Sequence, residues 1–350
     1  MLIVPLTEVS LKKREDYQME QIVLTGIKPT GQIHLGNYIG AIKPALKLAE
    51  KSDYQAAYFI ADYHGLTKIH DQEEFRTLTY GVAAAWLALG LDPEKTIFYR
   101  QSNVPEIFEL NWILACFSPK GLMNRAHAYK GIVESNKQAG KEVDDGVNMG
   151  LFTYPILMAA DILAFQANMV PVGKDQIQHV EIARDIADSF NHQYGETFVL
   201  PEYIVDEETS ILPGLDGRKM SKSYHNTIPL FEEPAKLQKL INKIKTDSLP
   251  PEAPKDTESS ILFTLYKEFA SVEEIAQMRK KYESGIGWGE VKKELFAVMN
   301  RFLEEPRKKY QELMANPEKI DLILQKGAEK ARARTLPFLE EVRKRIGVLR

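Results

Sequence analysis

The sequence predicts an α/β protein, a doubly wound parallel (Rossmann-like) sheet followed by a smaller, all-helical C-terminal region. Three observations predict it. Short apolar strands alternate with helices of about 10–20 residues through the first half of the chain. A turn rich in Gly, Pro and Thr, residues 26–36, leads from the first strand straight into a helix. After Pro229 the strand signals disappear and amphipathic helices dominate to the end.

Taken in order, residues 21–25 read as an apolar strand and 37–51 as a helix, with Pro44 a local conflict tolerable near a first turn or at a kink. A second strand is expected at about 56–61, a helix at 71–89 and a third strand at 96–100. Two helices flank Pro119 and lead to a polar, glycine-containing stretch at 131–146. A buried-looking helix at 154–165, a strand at 169–172 and a helix at 175–191 follow. Beyond residue 230, Pro251, Pro254, Pro306 and Pro317 are the expected breaks. The expected organisation is an extension at 1–20, a catalytic domain at 21–229 and a helical domain at 230–350.

Bulk properties exclude several classes. At 350 residues the chain is too long for one small core. Its apolar fraction of 44% and charged fraction of 27% are those of a globular protein. The longest apolar run, residues 81–91, falls short of the ~20 needed to span a bilayer, so no membrane association is expected. The apolar residues 2–6 precede the charged cluster at 12–16, the reverse of a secretory signal. The single cysteine, Cys116, permits neither an internal disulfide nor a cysteine metal cluster, and points to a reducing cytoplasm. A net charge of −4 argues against non-specific nucleic-acid binding, and no DNA partner is expected. The last 25 residues nevertheless hold eight basic and three acidic side chains, readable as a phosphate-backbone contact or as a solvated helix face.

Two segments carry nucleotide chemistry. In Gly26-Ile27-Lys28-Pro29-Thr30-Gly31-Gln32-Ile33-His34-Leu35-Gly36-Asn37, glycines allow close backbone approach and the helix start offers free N–H groups. His34 can donate to phosphate oxygens, and Gly36 leaves room for an adenine ring or ribose. The second segment is Lys219-Met220-Ser221-Lys222-Ser223, with two lysines three apart on a glycine-flanked loop. A lysine ammonium is a compact cation able to follow charge as it develops on a phosphate. Alone, the first reads equally as a tight turn and the second as a charged surface loop.

A third segment concerns the substrate. Asp161 is a lone carboxylate on an otherwise apolar helix face, costly to bury unpaired. It reads either as a carboxylate salt-bridged elsewhere or as an acceptor for an indole N–H, the one polar atom of a tryptophan side chain. Met158, Val170 and Val172, with Leu24 and Gly26 of the first strand, would wall such a pocket.

Together, His34-Leu35-Gly36-Asn37 and Lys219-Met220-Ser221-Lys222-Ser223 resemble the two signature sequences of class I aminoacyl-tRNA synthetases. The first departs from the usual His-Ile-Gly-His at its second and fourth positions. Gly150-Leu151-Phe152-Thr153-Tyr154-Pro155-Ile156-Leu157-Met158-Ala159-Ala160-Asp161-Ile162-Leu163 resembles an amino-acid pocket segment of the bacterial tryptophanyl-tRNA synthetases. Val170-Pro171-Val172-Gly173-Lys174-Asp175-Gln176-Ile177-Gln178-His179-Val180-Glu181 does so as well. The resemblance runs from about residue 21 to the C-terminus and includes the turn at 282–289 and the basic final helix.

The resemblance implies a two-step ligase that uses ATP, L-tryptophan and tRNA(Trp), with Mg²⁺ held mainly by the ATP phosphates and no protein metal site. It implies a homodimer whose C-terminal helices read the anticodon. Lys219, Lys222, His34 and Asn37 would be the catalytic residues. ATP would also meet Lys28, Pro29, Thr30, Gly36, Gly173, Lys174, Met220, Ser221 and Ser223, with Asp175 at the ribose and Ile211 at the adenine. Lys28 stands where many bacterial members carry glutamine. Tyr154 and Gln176 would hold the α-amino group, and His64 would sit at the pocket edge, against its alternative as a solvent-exposed loop histidine. A further triphosphate lysine is either Lys130 or Lys137, with Lys137 preferred. A tyrosyl-tRNA synthetase, a small-molecule nucleotidyltransferase and a non-catalytic RNA-binding paralogue are the alternatives. The first expects polar partners where Leu24 stands, the second lacks the helical basic region, and the third has no use for intact signature lysines.

Overall fold

The structure, a computed structural model, describes residues 21–51, 53–205 and 212–349. The N-terminal extension and Ile211 therefore lie outside the described residues. Five parallel strands form one sheet in the order β3-β2-β1-β4-β5. They are β1 Gln21–Ile27, β2 Tyr54–Ile60, β3 Ile97–Arg100, β4 Met169–Pro171 and β5 Glu202–Ile204. The chain winds outward from β1 to β2 and β3, then returns to place β4 on the other side. That reversal leaves a crevice at the carboxyl ends of β1 and β4, where open α/β sheets bind ligands.

Helices cover both faces, as a buried parallel sheet requires. One apolar cluster joins Val23 and Tyr58 to α1 (Lys43–Ala49), α3 (Gln72–Ala88) and the later helices α9 (Pro234–Asn242), α10 (Ile261–Lys267), α11 (Val272–Ser284) and α12 (Trp288–Ala315). The other joins Leu24, Phe59 and Tyr99 to α4 (Glu106–Ala115), α7 (Met149–Ala164) and α8 (Ile177–Tyr194). Asp62 begins the short α2 (Asp62–Gly65), and α5 (Lys120–Asn124) and α6 (His127–Gln138) follow α4.

The last helix, α13 (Pro317–Arg345), has residues in both clusters because it runs along the edge strand β3. A helix laid there hides an edge that would otherwise invite pairing. At Gly327 a Cβ would lie 1.7 Å from the Phe98 carbonyl oxygen, so only hydrogen fits. Four basic residues of α13 hold the sheet region. Lys330 Nζ donates to the carbonyls of Pro93 (3.0 Å) and Glu94 (3.1 Å), and Arg345 to that of Tyr194 (3.2 Å). Arg332 pairs with Glu106 at 3.0 Å, and Arg343 with Glu109 through Nε at 2.7 Å. Much of the C-terminal positive charge is thus structural, a use that charge counting does not reveal.

Several elements differ from the sequence expectation. The helix expected at 37–51 is a short turn, Leu35–Asn37, then a π-helical turn, Tyr38–Ile42, before α1. Pro44 lacks the N–H an α-helical bond would use, and Lys43 N–H bonds instead to Tyr38 C=O, five residues back. The stretch at 131–146 is helical through Gln138. α7 starts at Met149, where the Asn148 side chain caps it by accepting from Leu151 N–H at 2.8 Å. Pro306 is no break. It sits inside α12, whose stripe of Val291, Leu295, Met299 and Leu303 is fully buried and outweighs one missing backbone bond. β5 had no expected counterpart. Among the described residues no helix is long and apolar enough to cross a membrane.

The approach of α13 to β3 is testable. Gly327→Ala should lower the unfolding free energy by about 3 kcal/mol in urea titration, because the clash is with backbone. A loss below about 1 kcal/mol would mean that α13 can step off β3 freely.

Candidate active site

Several of the expected site residues lie at the carboxyl ends of the strands. Lys28, Pro29 and Thr30 follow β1, His64 follows β2, and Gly173, Lys174 and Asp175 follow β4. Pro29 is buried against the turn of α2, close enough that a Cβ on Gly65 would meet its ring at 3.1 Å. Asp62 locks that turn to the β3 loop by accepting from Ser102 N–H at 3.0 Å.

The two signature segments meet, although about 190 residues separate them in sequence. Leu35 N–H donates to Ile228 C=O and Leu230 N–H to Ile33 C=O, both at 3.0 Å, with His34 opposite Pro229 in an antiparallel bridge. This staple carries Lys222 to Gly31, where a Cβ would lie 2.9 Å from its Nζ. A Cβ on Gly36 would lie 3.7 Å from Met220 Cβ, and Met220 itself is buried. Asn37 accepts from the His34 backbone N–H at 3.1 Å and so squares the start of the helix. That gives the asparagine at the fourth motif position a physical reason.

The electrostatics suit an anion. Burial and the charge of Lys222 push His34 down to about 4, so at neutral pH it offers an uncharged N–H. Burial and the charge of Lys68 lower the Lys222 ammonium. Lys28 stays open to the cleft, yet enclosure by the cleft walls strips water from its ammonium, and Lys68 lowers it further. Its Nζ sits 4.6 Å over the Tyr154 ring. Three lysines from three loops thus share one field.

Beside them a carboxylate is buried among apolar side chains. Asp161 is 1% exposed. Its Oδ2 meets His64 Nε2 at 2.8 Å, and its Oδ1 accepts from Gln101 Nε2 at 2.7 Å. Burial raises its carboxyl above the usual range, while His64, Gln101 and Lys28 pull it back. Phe59, Tyr99 and Phe165 stack in the adjoining core, with centroids 5.4 and 5.3 Å apart. A Cβ on Gly26 would come within 2.5 Å of the Phe59 ring, so glycine there lets the ring pack against the backbone of β1. Leu24 and Val170 are buried, and Met158 and Val172 half-buried. Tyr154 Oη lies 2.6 Å from His179 Nε2. Burial, then the charge of Lys28, holds His179 at about 4, so it is neutral and can accept the phenol proton.

The family model described as tRNA synthetases class I (W and Y) matches residues 17–304. The chain belongs to this family. Among curated relatives, the tryptophan–tRNA ligase of Neisseria meningitidis serogroup A is 55% identical over 327 residues, 93% of this chain and 97% of that one. That of Pseudomonas aeruginosa is 53% identical over 329 residues, 93% and 73% of the two chains. Among solved structures, the tryptophanyl-tRNA synthetase of Campylobacter jejuni complexed with ADP and tryptophan superposes with a TM-score of 0.85. It is 45% identical and covers 93% of this chain and 100% of that one.

Within this class I synthetase framework, most expected residues converge on the crevice. His64 is 3% exposed, not a solvent-facing loop histidine. Asp175 folds back toward Gly173, where a Cβ would lie 2.8 Å from its Oδ1, and accepts from Gln176 Nε2 at 3.1 Å. Lys174, Lys219 and Ser223 are exposed, and Ser221 is half-buried with its N–H bound to Asn226. Lys137 lies exposed on the last turn of α6, and Lys130 faces Glu134 at 3.8 Å. Sequence reasoning missed Gln101, His179, Lys68 and Asn226. Gln101 had one usable signal, an amide directly after an apolar strand at the ligand-binding edge.

The burial of His179 has a pH signature. Its pKa drops from the ordinary 6.5 to about 4 on folding, so the unfolded chain binds the proton more tightly. Its contribution to stability is therefore complete above the unfolded value and lost as pH falls from 6.5 toward 4. Urea unfolding between pH 7 and 5 should show a shallower loss in His179→Gln than in the unaltered protein. Equal slopes would contradict a buried neutral histidine.

Proposed function

We infer that the chain is a tryptophan–tRNA ligase. It activates L-tryptophan with ATP to tryptophanyl-adenylate, releases pyrophosphate, and transfers tryptophan to the 3′-terminal ribose of tRNA(Trp). The observation that carries the substrate assignment is Asp161, a carboxylate buried among apolar and aromatic side chains. His64 and Gln101 use one lone pair of each oxygen. A second lone pair remains to accept an indole N–H. A ring without that donor leaves the carboxylate under-satisfied, which is how such pockets discriminate.

In the proposed mechanism the tryptophan carboxylate oxygen attacks the α-phosphorus of ATP. The new C–O–P bond forms as the bond to the β-phosphoryl oxygen breaks, and pyrophosphate leaves with that electron pair. The carboxylate is already ionised, so no general base is needed. Catalysis is positioning plus electrostatics. Lys219 and Lys222 offset the charge growing on the leaving phosphates, with His34 and Asn37 on the other wall. Lys28, Pro29, Thr30, Gly36, Met220, Ser221 and Ser223 line the nucleotide path, with Gly173, Lys174 and Asp175 toward the ribose and Ile211 toward the adenine. Lys137 is kept as the further triphosphate lysine. Tyr154 would accept from the α-ammonium, its own proton given to His179, and Gln176 would assist. Leu24, Gly26, Met158, Val170 and Val172 would wall the indole.

Among the described residues no group of three His, Cys, Asp or Glu side chains could hold a metal ion. Mg²⁺ is proposed to arrive on the ATP phosphates, where it would neutralise charge. The assignment of residues 21–229 to catalysis and 230–350 to tRNA anticodon binding, a homodimer and a cytoplasmic location complete the proposal.

Two substitutions test it by tryptophan-dependent ATP–pyrophosphate exchange. Lys222→Ala should lower kcat by about 100-fold or more with little change in tryptophan binding, since its effect belongs to the transition state. Asp161→Asn should raise KM for tryptophan about 10- to 100-fold, the worth of a hydrogen bond to a charged group. Near-normal exchange in the first would remove the loop from catalysis. An unchanged KM in the second would remove Asp161 from recognition.

A further inference from the structure

The loop that carries Lys219 and Lys222 is closed by a residue outside the signature. Asn226 is 2% exposed. Its Oδ1 accepts from Ser221 N–H at 2.8 Å. Its Nδ2 donates to Asp216 Oδ1 at 2.7 Å and to Lys219 C=O at 3.2 Å. Its own carbonyl accepts from Leu215 N–H at 3.0 Å. His225, at φ 51°, turns the chain back so that the amide can reach inward. Gly214 makes the space, since a Cβ there would lie 2.4 Å from Asn226 Cγ and Nδ2.

Lys219 C=O and Ser221 N–H flank Met220, so one planar amide fixes the peptide units on both sides of it. Met220 N–H is held in turn by Leu212 C=O at 2.8 Å. The directions in which Lys219 and Lys222 leave the backbone follow from those peptide planes. The partners demand an acceptor for Ser221 and donors for Asp216 and Lys219 on a short side chain. Aspartate lacks the donor, serine the reach, and glutamine is one methylene too long.

We propose that Asn226 is the positioning residue of this loop, setting where its two lysines meet the triphosphate. The proposal rests on reading the loop as phosphate-binding. Asn226 is buried and acts through the loop backbone. Asp216 is a part of the same device. Hydrogen bonding from Asn226, then from Arg218, holds its carboxyl at about 2, so it stays an ionised acceptor. Arg218, which grips its other oxygen through Nε at 2.7 Å, packs over the Tyr224 ring at 4.3 Å.

The test is pyrophosphate-exchange kinetics with thermal melting on the full chain. The variants are Asn226→Ala, Asn226→Asp, the exchange pair Asp216→Asn with Asn226→Asp, and Lys222→Ala. Asn226→Ala should lower kcat about 100-fold, the scale of an ångström-sized misplacement, with KM for tryptophan within about twofold. Asn226→Asp should fall as far, because it sets two carboxylates against each other. The exchange pair should regain part of that loss, because donor and acceptor swap places at Asp216, yet stay below the unaltered enzyme, because Lys219 C=O still lacks its donor. Three results would overturn the proposal: kcat in Asn226→Ala within about threefold of the unaltered enzyme, a loss that tracks only the folded fraction, or no recovery in the exchange pair. Lys222→Ala separates the two levels. If it keeps exchange, the phosphate reading fails. If it loses exchange while Asn226→Ala does not, only the positioning role falls.

Discussion

Two backbone hydrogen bonds, Leu35 to Ile228 and Leu230 to Ile33, hold the site in register. Each is worth only about 1 kcal/mol net. Their importance is geometric. They tie the turn after β1 to the segment that follows the lysine loop, and no covalent neighbour does so. Lys222 reaches Gly31, and Met220 closes under Gly36, because this staple fixes where the second strand of chain must run. The sheet supplies the first turn, the staple supplies the second loop, and Asn226 supplies the shape of that loop.

The site is costly to build. Burial, then the charge of Lys68, lowers Lys28 and Lys222, and a carboxylate is buried among aromatic side chains nearby. Like charges held together without an anion destabilise the fold, and they bind one correspondingly well when it comes. Asp161 is tolerated because two donors, His64 and Gln101, meet its two oxygens. His34 and His179 are kept uncharged by burial, so each acts through a directed hydrogen bond. The packing of α13 along β3 and the pairs of Arg332 and Arg343 with α4 hold rigid the sheet edge from which Gln101 projects.

What was legible in the sequence was what is contiguous. The turn at 26–37 and the loop at 219–223 are single stretches whose residue types suffice to name a chemistry. Asp161 stood out because a lone carboxylate among Ala, Ile and Leu violates the apolar pattern of its helix. What was illegible depends on pairing across long separations. Nothing in the sequence links Gln101 or His64 to a carboxylate 60 or 97 residues away. Asn226 carries no signal in the sequence, since its partners are peptide groups and one aspartate. Local signals also misled. Pro306 reads as a break until the buried stripe of α12 is seen to span it, and β5, three residues long and largely exposed, carries no alternation to detect. The basic C-terminal run shows the same limit, since counting charge cannot separate a residue that awaits RNA from one that pins a helix to its own domain.

The central claim is that Asp161 and its two donors make this class I site select tryptophan. ATP–pyrophosphate exchange measured against each of the twenty amino acids tests it most directly. The account predicts strong exchange with tryptophan and a kcat/KM lower by about 10⁴-fold or more for phenylalanine, which lacks the N–H that the carboxylate needs. Comparable exchange with tyrosine or phenylalanine, or none with tryptophan, would contradict it.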